Sequence, residues 1–258
     1  YSTATGTEPY IALSADDPVT ASGCSFHRDV VFAIEPGAKP GIIMVDPQGR
    51  ARRYADLPRG VTPNGIAFDT AGRFGHRLLV TAGGHGGTTL FAADCKGRVR
   101  PILAHGPAVE GGIVVAPPAF GRFGGDLIAP NETSGRVFAF QPNGNVVTLV
   151  RSGLPSGGDI GVESAGFVPP GFGRGGAAYL ADRLSPGNKH PGTNSILRLP
   201  GPGLVRAGVR PGDLLVATEG GAKTIAVRCG SSCTVRHIAD GPAVAHGEGH
   251  IVVAASAP

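Results

Sequence analysis

Acidic and amide side chains recur at the ends of short apolar segments along this chain. One set opens, or immediately precedes, segments that we expect to form the innermost strands of a repeat: Asn64, Glu110, Glu163 and Glu248. A second set ends the next segment of each repeat: Glu35, Asn131, Glu132, Asp182 and Glu219, with His85 just beyond Thr81. Oxygen ligands at this density suit a hard divalent cation, and calcium above all.

Three carboxylates and one amide brought together would repel each other, and a bound cation or raised pKa values would relieve that repulsion. We therefore predict a divalent cation held by Asn64, Glu110, Glu163 and Glu248. Around the substrate we expect Glu132, Asn131, Asp182 and His85. The alternative is that these side chains only satisfy backbone donors at strand ends.

Histidines offer a rival centre. His246, Glu248 and His250 are spaced two residues apart, so on an extended strand all three side chains would point the same way. Such a cluster would suit copper, iron or zinc. For acid–base chemistry the candidates are His246 and His105, which each lie in the link before an acidic residue of the first set. His76, His190 and His237 are expected to be exposed loop residues.

The elements that position these residues form a repeat. Five pairs of apolar segments match one another: residues 28–35 with 41–49, 74–81 with 89–97, 123–132 with 135–144, 175–182 with 195–200, and 212–219 with 224–230. They recur about every 46 residues, within the roughly 40–50 residues of a four-stranded propeller blade. The pattern predicts an all-β fold, a β-propeller of five blades, in preference to a two-sheet sandwich.

Closure of the propeller follows from unmatched strands at the two ends of the chain. The segment 249–254 has an inner-strand pattern but no blade after it, and the first blade has no obvious inner strand. We expect residues 251–254 to pair with residues 30–34 and close the ring, which removes exposed sheet edges. Residues 1–24 would be an N-terminal extension and residues 25–258 one propeller domain. Only residues 203–206 are available as an inner strand for the fifth blade, and residues 1–23 could supply a sixth.

Antiparallel strands bring the two sets of polar residues to one face. The start of the first strand and the end of the second strand of a blade lie on the same side of the disc. The first set should therefore ring the mouth of the central channel.

The composition favours a strand-rich protein and argues against nucleic-acid binding and membrane-spanning segments. The chain has 258 residues, with 43 Gly and 23 Pro, which suits many short strands joined by tight turns. The net charge of +4 comes from scattered residues without basic runs interleaved with aromatics, so nucleic-acid binding is unsupported. No apolar stretch is long enough to span a bilayer. We expect a monomer that acts on a small molecule.

The four cysteines predict two disulfides. Cys229 and Cys233 flank a three-residue turn, which leaves Cys24 and Cys95 as the other pair. Two disulfides would indicate an oxidising compartment. The chain begins at Tyr1 rather than Met, which is typical of a processed protein, so we expect it to be secreted or periplasmic.

One stretch resembles a known family. Residues Thr62, Pro63, Asn64, Gly65, Ile66 and Ala67 are similar to a motif that opens an inner strand in the senescence-marker-protein/gluconolactonase family and its strictosidine-synthase-like relatives. The resemblance implies a six-bladed propeller, a central divalent cation held by Glu, Asn and Asp, and hydrolysis of lactones or esters. Asn64 matches the motif directly. Glu110, Glu163 and Glu248 occupy corresponding phases of the repeat.

Three functions follow as hypotheses. The leading one is a secreted, metal-dependent hydrolase of a lactone or small ester, in which the cation polarises the carbonyl and a histidine activates water. The second is a non-catalytic propeller that binds a ligand or partner at the same face. The third is a redox enzyme with a histidine-ligated copper or iron centre. A Gly-x-Ser-x-Gly elbow, a P-loop and a dinucleotide fingerprint are all absent from the sequence.

Overall fold

The computed structural model describes residue 8, residues 10–84 and residues 86–256. The first strands along these residues are β1 (Ile11–Leu13), β2 (Pro18–Val19), β3 (Cys24–Ser25), β4 (Val31–Glu35), β5 (Gly41–Val45), β6 (Ala51–Asp56), β7 (Thr62–Phe68), β8 (Leu78–Gly84), β9 (Gly87–Ala93) and β10 (Val99–Gly106). The remaining strands are β11 (Val114–Val115), β12 (Leu127–Asn131), β13 (Arg136–Phe140), β14 (Val146–Arg151), β15 (Val162–Phe167), β16 (Ala177–Asp182), β17 (Ser195–Pro200), β18 (Leu214–Thr218), β19 (Thr224–Cys229), β20 (Cys233–Ala239) and β21 (Gly247–Ala254). The helical turns are α1 (Gly201–Arg206) and the short 3-10 helices Thr20–Ser22 and Gly121–Phe123.

Five antiparallel sheets form the blades of a propeller, which confirms the predicted fold class and blade number. From the axis outward, the first blade is β1-β4-β5-β6, the second β7-β8-β9-β10, the third β11-β12-β13-β14 and the fourth β15-β18-β19-β20. The fifth blade has three strands in the described residues, β21-β16-β17. A small two-stranded hairpin, β2-β3, lies between β1 and β4 in the sequence.

Burial explains why the strands differ in sequence. The second strands of the third and fourth blades, β12 and β18, are buried along their whole length because neighbouring blades cover both faces. Their sequences are correspondingly almost continuous apolar runs. The outermost strand β20 is mostly exposed and carries the polar residues Thr234, Arg236 and His237. The hairpins that lead to the outermost strands turn at glycines with positive φ, as the Gly49, Gly97 and Gly144 turns show.

The predicted pairing of the C-terminal strand with the first blade is wrong. β21 pairs with β16 of the fifth blade, with Ala177 opposite Ala254. The inner strand of the first blade is β1, with Ile11 opposite Ala33. Part of the predicted N-terminal extension thus belongs to the propeller. β1 has three residues, too few to show a strand periodicity in the sequence.

The inner strands of the fourth and fifth blades do not belong to the blades whose strands follow or precede them directly in the chain. β15 pairs with β18, so the chain builds β16 and β17 of the fifth blade before it returns to the fourth. Residues 203–206, the predicted inner strand of the fifth blade, lie in helix α1 instead. β15 and β21 have the same inner-strand pattern, so their local sequences do not distinguish the two pairings.

Apolar cores join four pairs of neighbouring blades. Separate clusters of buried side chains lie between the first and second, second and third, third and fourth, and fourth and fifth blades. No such cluster in the described part of the chain joins the fifth blade to the first. Ile11, Leu13 and Val252 at that seam are 54%, 61% and 61% exposed. Polar contacts near the axis join the two blades there, as described below.

The backbones of the inner strands lie in close contact with one another. A side chain at Gly112 would lie 2.3 Å from the carbonyl oxygen of Gly249, and one at Gly166 would lie 1.9 Å from that of Ile251. Both distances are far below van der Waals contact. Only glycine at position 166 therefore allows β15 to approach β21 this closely, and Gly112 does the same for the segment before β11.

Gly166→Ala is expected to destabilise the protein by about 3 kcal/mol or more, because the added methyl group must displace the β21 backbone. Urea denaturation measures the change. The matched control is Gly173→Ala, where no atom lies within 4 Å of the added carbon. Equal midpoints for the two variants would contradict the close packing of β15 against β21.

Both predicted disulfides are present. Cys24–Cys95 connects β3 to the turn after β9, and Cys229–Cys233 closes the hairpin between β19 and β20. Two disulfides are compatible with an extracellular or periplasmic location. Within the described residues, no helix has the length and hydropathy needed to cross a membrane.

Candidate metal and catalytic site

Six glutamates lie close together beside the inner strands and form what we call the carboxylate cluster: Glu8, Glu110, Glu132, Glu163, Glu219 and Glu248. Glu163 and Glu248 lie on the inner strands β15 and β21, and Glu110 lies in the link before β11. Glu132 and Glu219 directly follow the second strands β12 and β18. The starts of first strands and the ends of second strands thus meet on one face, as antiparallel pairing requires.

The cluster consists of three overlapping groups. Glu110, Glu132 and Glu163 form one, Glu8, Glu163 and Glu248 the second, and Glu219, His246 and Glu248 the third. Within each group, one potential ligand atom per residue lies within 4.8 Å of the others. Glu163 and Glu248 each belong to two groups, so the three groups form one continuous acidic surface.

Tyr10 reaches the cluster from the segment before β1. Its hydroxyl lies 2.6 Å from Glu163 Oε1, 2.9 Å from Glu8 Oε2 and 3.1 Å from Glu248 Oε2. Arg183, which follows β16, pairs with Glu8 and lies 3.3 Å from Glu248 Oε1. Because Tyr10 and Glu8 belong to the first blade and Arg183 and Glu248 to the fifth, these contacts fasten the seam that lacks an apolar core.

His246 is buried between the fourth and fifth blades. Its Nε2 atom lies 2.8 Å from Glu219 Oε1 and 3.2 Å from Glu248 Oε1. The Nδ1 atom lies 2.9 Å from the carbonyl oxygen of His190. Its backbone amide donates to Asp182 Oδ1 at 2.8 Å. Both ring nitrogens therefore have fixed partners, and neither faces open solvent.

Crowding and burial of the carboxyl groups raise the pKa values of several of them. Burial, followed by repulsion from Glu132, raises the pKa of Glu110 to about 7. Burial and the charge of Glu248 raise the pKa of Glu219 to about 8. Burial, with the charges of Glu248 and Glu8, also raises the pKa of Glu163 well above its ordinary value of 4.5. These shifts mean that without a bound cation much of the cluster is protonated near neutral pH.

Glu248 and His246 shift in the directions of an ion pair. Burial raises the pKa of Glu248, but its hydrogen bonds with His246 and Glu163 and the charge of Arg183 outweigh that effect and lower it. The hydrogen bond with Glu248 raises the pKa of His246, although burial opposes it. Without a bound cation, His246 is therefore poorly suited to accept a proton from water.

A cavity of about 300 Å³ opens beside the first group. Asn64, Glu110, Asn131 and Glu132 line it, together with residues of β8 and β9. Asn64 donates to the carbonyl oxygen of Val109 at 2.9 Å, while its own oxygen, Oδ1, is buried without a hydrogen-bond partner. An unsatisfied buried acceptor beside carboxylates fits a ligand that is a cation or a hydrogen-bond donor.

Most of the predicted site residues lie at this face. Glu110, Glu163, Glu248 and Glu132 belong to the carboxylate cluster, and Asn64 and Asn131 border the cavity. The Asn131 side chain bonds the backbone carbonyl of Ala108 and the amide of Ser134, so its polar atoms hold loops. Asp182 likewise accepts bonds from Thr193 and from the His246 amide. His85 lies outside the described residues.

Two histidines do not join the cluster. His105 is exposed on the outermost strand β10 and borders neither the cavity nor the carboxylate cluster, so its predicted catalytic role is not supported. The strand alternation predicted for His246, Glu248 and His250 is interrupted at Gly249, where φ is +76°. The ring of His250 meets the backbone of Ile66 and Ile11 instead, and burial lowers its pKa.

Three residues of the cluster and its surroundings were not predicted from the sequence. Glu8, Tyr10 and Arg183 lie outside the repeat phases from which the other residues were predicted, so no pattern indicated them. Glu219 directly follows a second strand in phase with Glu132, and the sequence placed it on this face but not among the predicted site residues.

Comparisons with known proteins give structural similarity alone. No family model matches the chain, and no curated protein matches it, so the resemblance to the gluconolactonase family is not confirmed. A protein of unknown function from Bacteroides caccae is 15% identical, with a TM-score of 0.49 over 94% of this chain and 64% of that one. Virginiamycin B lyase from Staphylococcus aureus is 14% identical, with a TM-score of 0.42 over 88% of this chain and 73% of that one. The chain thus spans about two thirds of the first structure's length.

Proposed function

We propose that this protein is an exported, cation-dependent hydrolase of a lactone or small ester, with its site at the carboxylate cluster. The supporting observation is the charge imbalance there. Six carboxyl groups meet, and Arg183 and His246 are the cationic side chains that contact them in the described residues. A divalent cation would offset the repulsion that raises the pKa values of these carboxyl groups.

Asn64, Glu132 and Glu163 would hold the cation. The backbone carbonyl of Asn64 accepts from the Gly111 amide at 2.9 Å, and Gly111 packs directly against the Glu163 side chain. The unpartnered Oδ1 of Asn64 supplies the neutral oxygen that calcium sites commonly include. When bound, the cation would polarise the substrate carbonyl and stabilise the negative charge that develops on it.

Glu110 takes the acid–base role that the sequence had suggested for His246 or His105. It borders the cavity, is partly exposed, and has a pKa of about 7. A carboxyl group that titrates near neutral pH can accept a proton from an attacking water molecule and return it to the leaving oxygen. The cavity beside it has room for a small lactone or ester rather than a polymer.

Two variants separate the roles of these residues. Glu132→Gln is expected to weaken calcium binding by about a hundredfold and to abolish hydrolysis, because it removes a charged ligand. Glu110→Gln is expected to lower kcat by about a hundredfold and to change calcium affinity by less than about tenfold. Calorimetric titration with calcium and hydrolysis of a panel of small lactones and phenyl esters measure both effects.

Glu35→Gln is the matched control. Glu35 ends a second strand in the same phase as Glu132, but it pairs with Arg53 and lies outside the carboxylate cluster. Normal calcium affinity and activity are expected for it. Absence of calcium binding by the unaltered protein would overturn the proposal. Calcium binding without hydrolysis of any compound in the panel would favour the non-catalytic ligand-binding alternative.

A further inference from the structure

The third group of the cluster, Glu219, His246 and Glu248, has a different chemistry from the proposed calcium site. It contributes one imidazole nitrogen and two carboxylates, and the three residues are 3%, 2% and 6% exposed. Glu219 follows β18 of the fourth blade, whereas Glu248 lies on β21 of the fifth. None of the three is a proposed calcium ligand, so this group is separate from the site of the proposed function.

The position of the imidazole matches that of a metal ligand. Nδ1 lies 2.9 Å from the His190 carbonyl oxygen, which can only accept a hydrogen bond, so Nδ1 carries a proton. In the neutral ring this leaves the Nε2 lone pair directed between the Glu219 and Glu248 carboxylates. Metal-binding histidines are commonly oriented in this way, with the second nitrogen donating to a backbone carbonyl.

A second observation also indicates a missing ligand. Glu219 Oε1 lies near Nε2, but Glu219 Oε2 is buried and has no hydrogen-bond partner. The negative charge of the neighbouring Glu132 adds repulsion at Glu219. A buried carboxylate oxygen without a donor is costly, and a metal ion would satisfy it.

We propose that Glu219, His246 and Glu248 bind a divalent transition metal, with zinc as the natural choice, which joins the fourth blade to the fifth. Mixed nitrogen and oxygen ligands suit zinc or cobalt, whereas calcium takes oxygen alone. All three side chains are buried, so a bound ion would lie between the fourth and fifth blades.

Cobalt(II) provides the test, because its visible absorption reports nitrogen ligation and coordination geometry. The full-length protein is treated with a chelator, supplied with excess calcium and titrated with cobalt chloride. One equivalent should give a visible spectrum, and the same equivalent of cobalt or zinc should raise the melting temperature. His246→Gln should abolish the spectrum while the variant remains folded by circular dichroism.

Two further variants keep the outcome decisive. His237→Gln is the control, because His237 and Asp240 form an exposed pair that could bind metal at the surface. If His246→Gln does not fold, Glu219→Gln replaces one ligand with a group of the same shape and should weaken cobalt binding by at least about tenfold. Absence of the spectrum, or its loss in His237→Gln but not in His246→Gln or Glu219→Gln, would overturn the site and leave a protonated His246 paired with two glutamates.

Discussion

Without divalent cations, the protein is expected to melt at a lower temperature at about pH 8.5 than at about pH 5.5. Glu110, Glu163 and Glu219 have folded-state pKa values above their ordinary value of 4.5, so the folded protein holds protons that the unfolded chain releases. This contribution to stability is complete below pH 4.5 and is lost as the pH rises through about 7 and about 8. His246, whose pKa is also raised, acts in the same direction.

Glu163→Gln should reduce this pH dependence, because glutamine resembles the protonated carboxyl group and carries no charge at any pH. Thermal melting in the presence of a chelator, across that pH range, measures the effect. Saturating calcium should restore the melting temperature of the unaltered protein at high pH but have much less effect on the variant. Equal pH dependence of the melting temperature in the unaltered protein and Glu163→Gln would show that the Glu163 carboxyl group does not cause this pH dependence. Asp46→Asn, at an exposed turn, is the control.

Removal of residues 249–258 is expected to abolish cooperative folding near physiological temperature, or to lower the melting temperature by more than about 10 °C. The deletion removes most of β21, which pairs with β16 and packs along β15. It also removes Ile251 from the core between the fourth and fifth blades, and burial of such a side chain contributes about 1.5–3 kcal/mol. A total stability of about 5–15 kcal/mol leaves little margin for these losses.

Removal of residues 255–258 alone is the matched control, because it leaves every pair between β21 and β16 in place. Its melting temperature should be close to that of the full chain. Circular dichroism during heating distinguishes the two deletions. A normal melting curve for the longer deletion would contradict the position of β21 as the inner strand of the fifth blade.

The seam between the first and fifth blades gives the N-terminal segment two roles. Tyr10 and Glu8 contact Glu163, Glu248 and Arg183, so the segment that closes the ring also supplies groups to the carboxylate cluster. Ring closure and the electrostatics of the site are therefore coupled through the same side chains. In the other four interfaces, apolar cores also hold the blades together.

The sequence predicted the polar face because strand phase is a local property. Asn64, Glu110, Glu163 and Glu248 each mark the start of an inner strand, and Glu132 and Glu219 each follow a second strand. Antiparallel geometry then requires these ends to lie on one side of the disc. The two disulfides followed from the same local logic, because Cys229 and Cys233 flank a hairpin turn and leave one other pair.

By itself, then, the sequence determined the repeat, the five blades, the disulfides and the face on which acidic residues collect, because each depends on periodicity or turn chemistry within a short window. Tertiary structure alone decided which inner strand joins which blade, since β15 and β21 share one pattern and differ only in what packs against them. It also brought Tyr10, Glu8 and Arg183 to the cluster and turned His250 away at Gly249. These outcomes depend on contacts between residues more than 60 positions apart, such as Arg183 with Glu248, which no local pattern encodes.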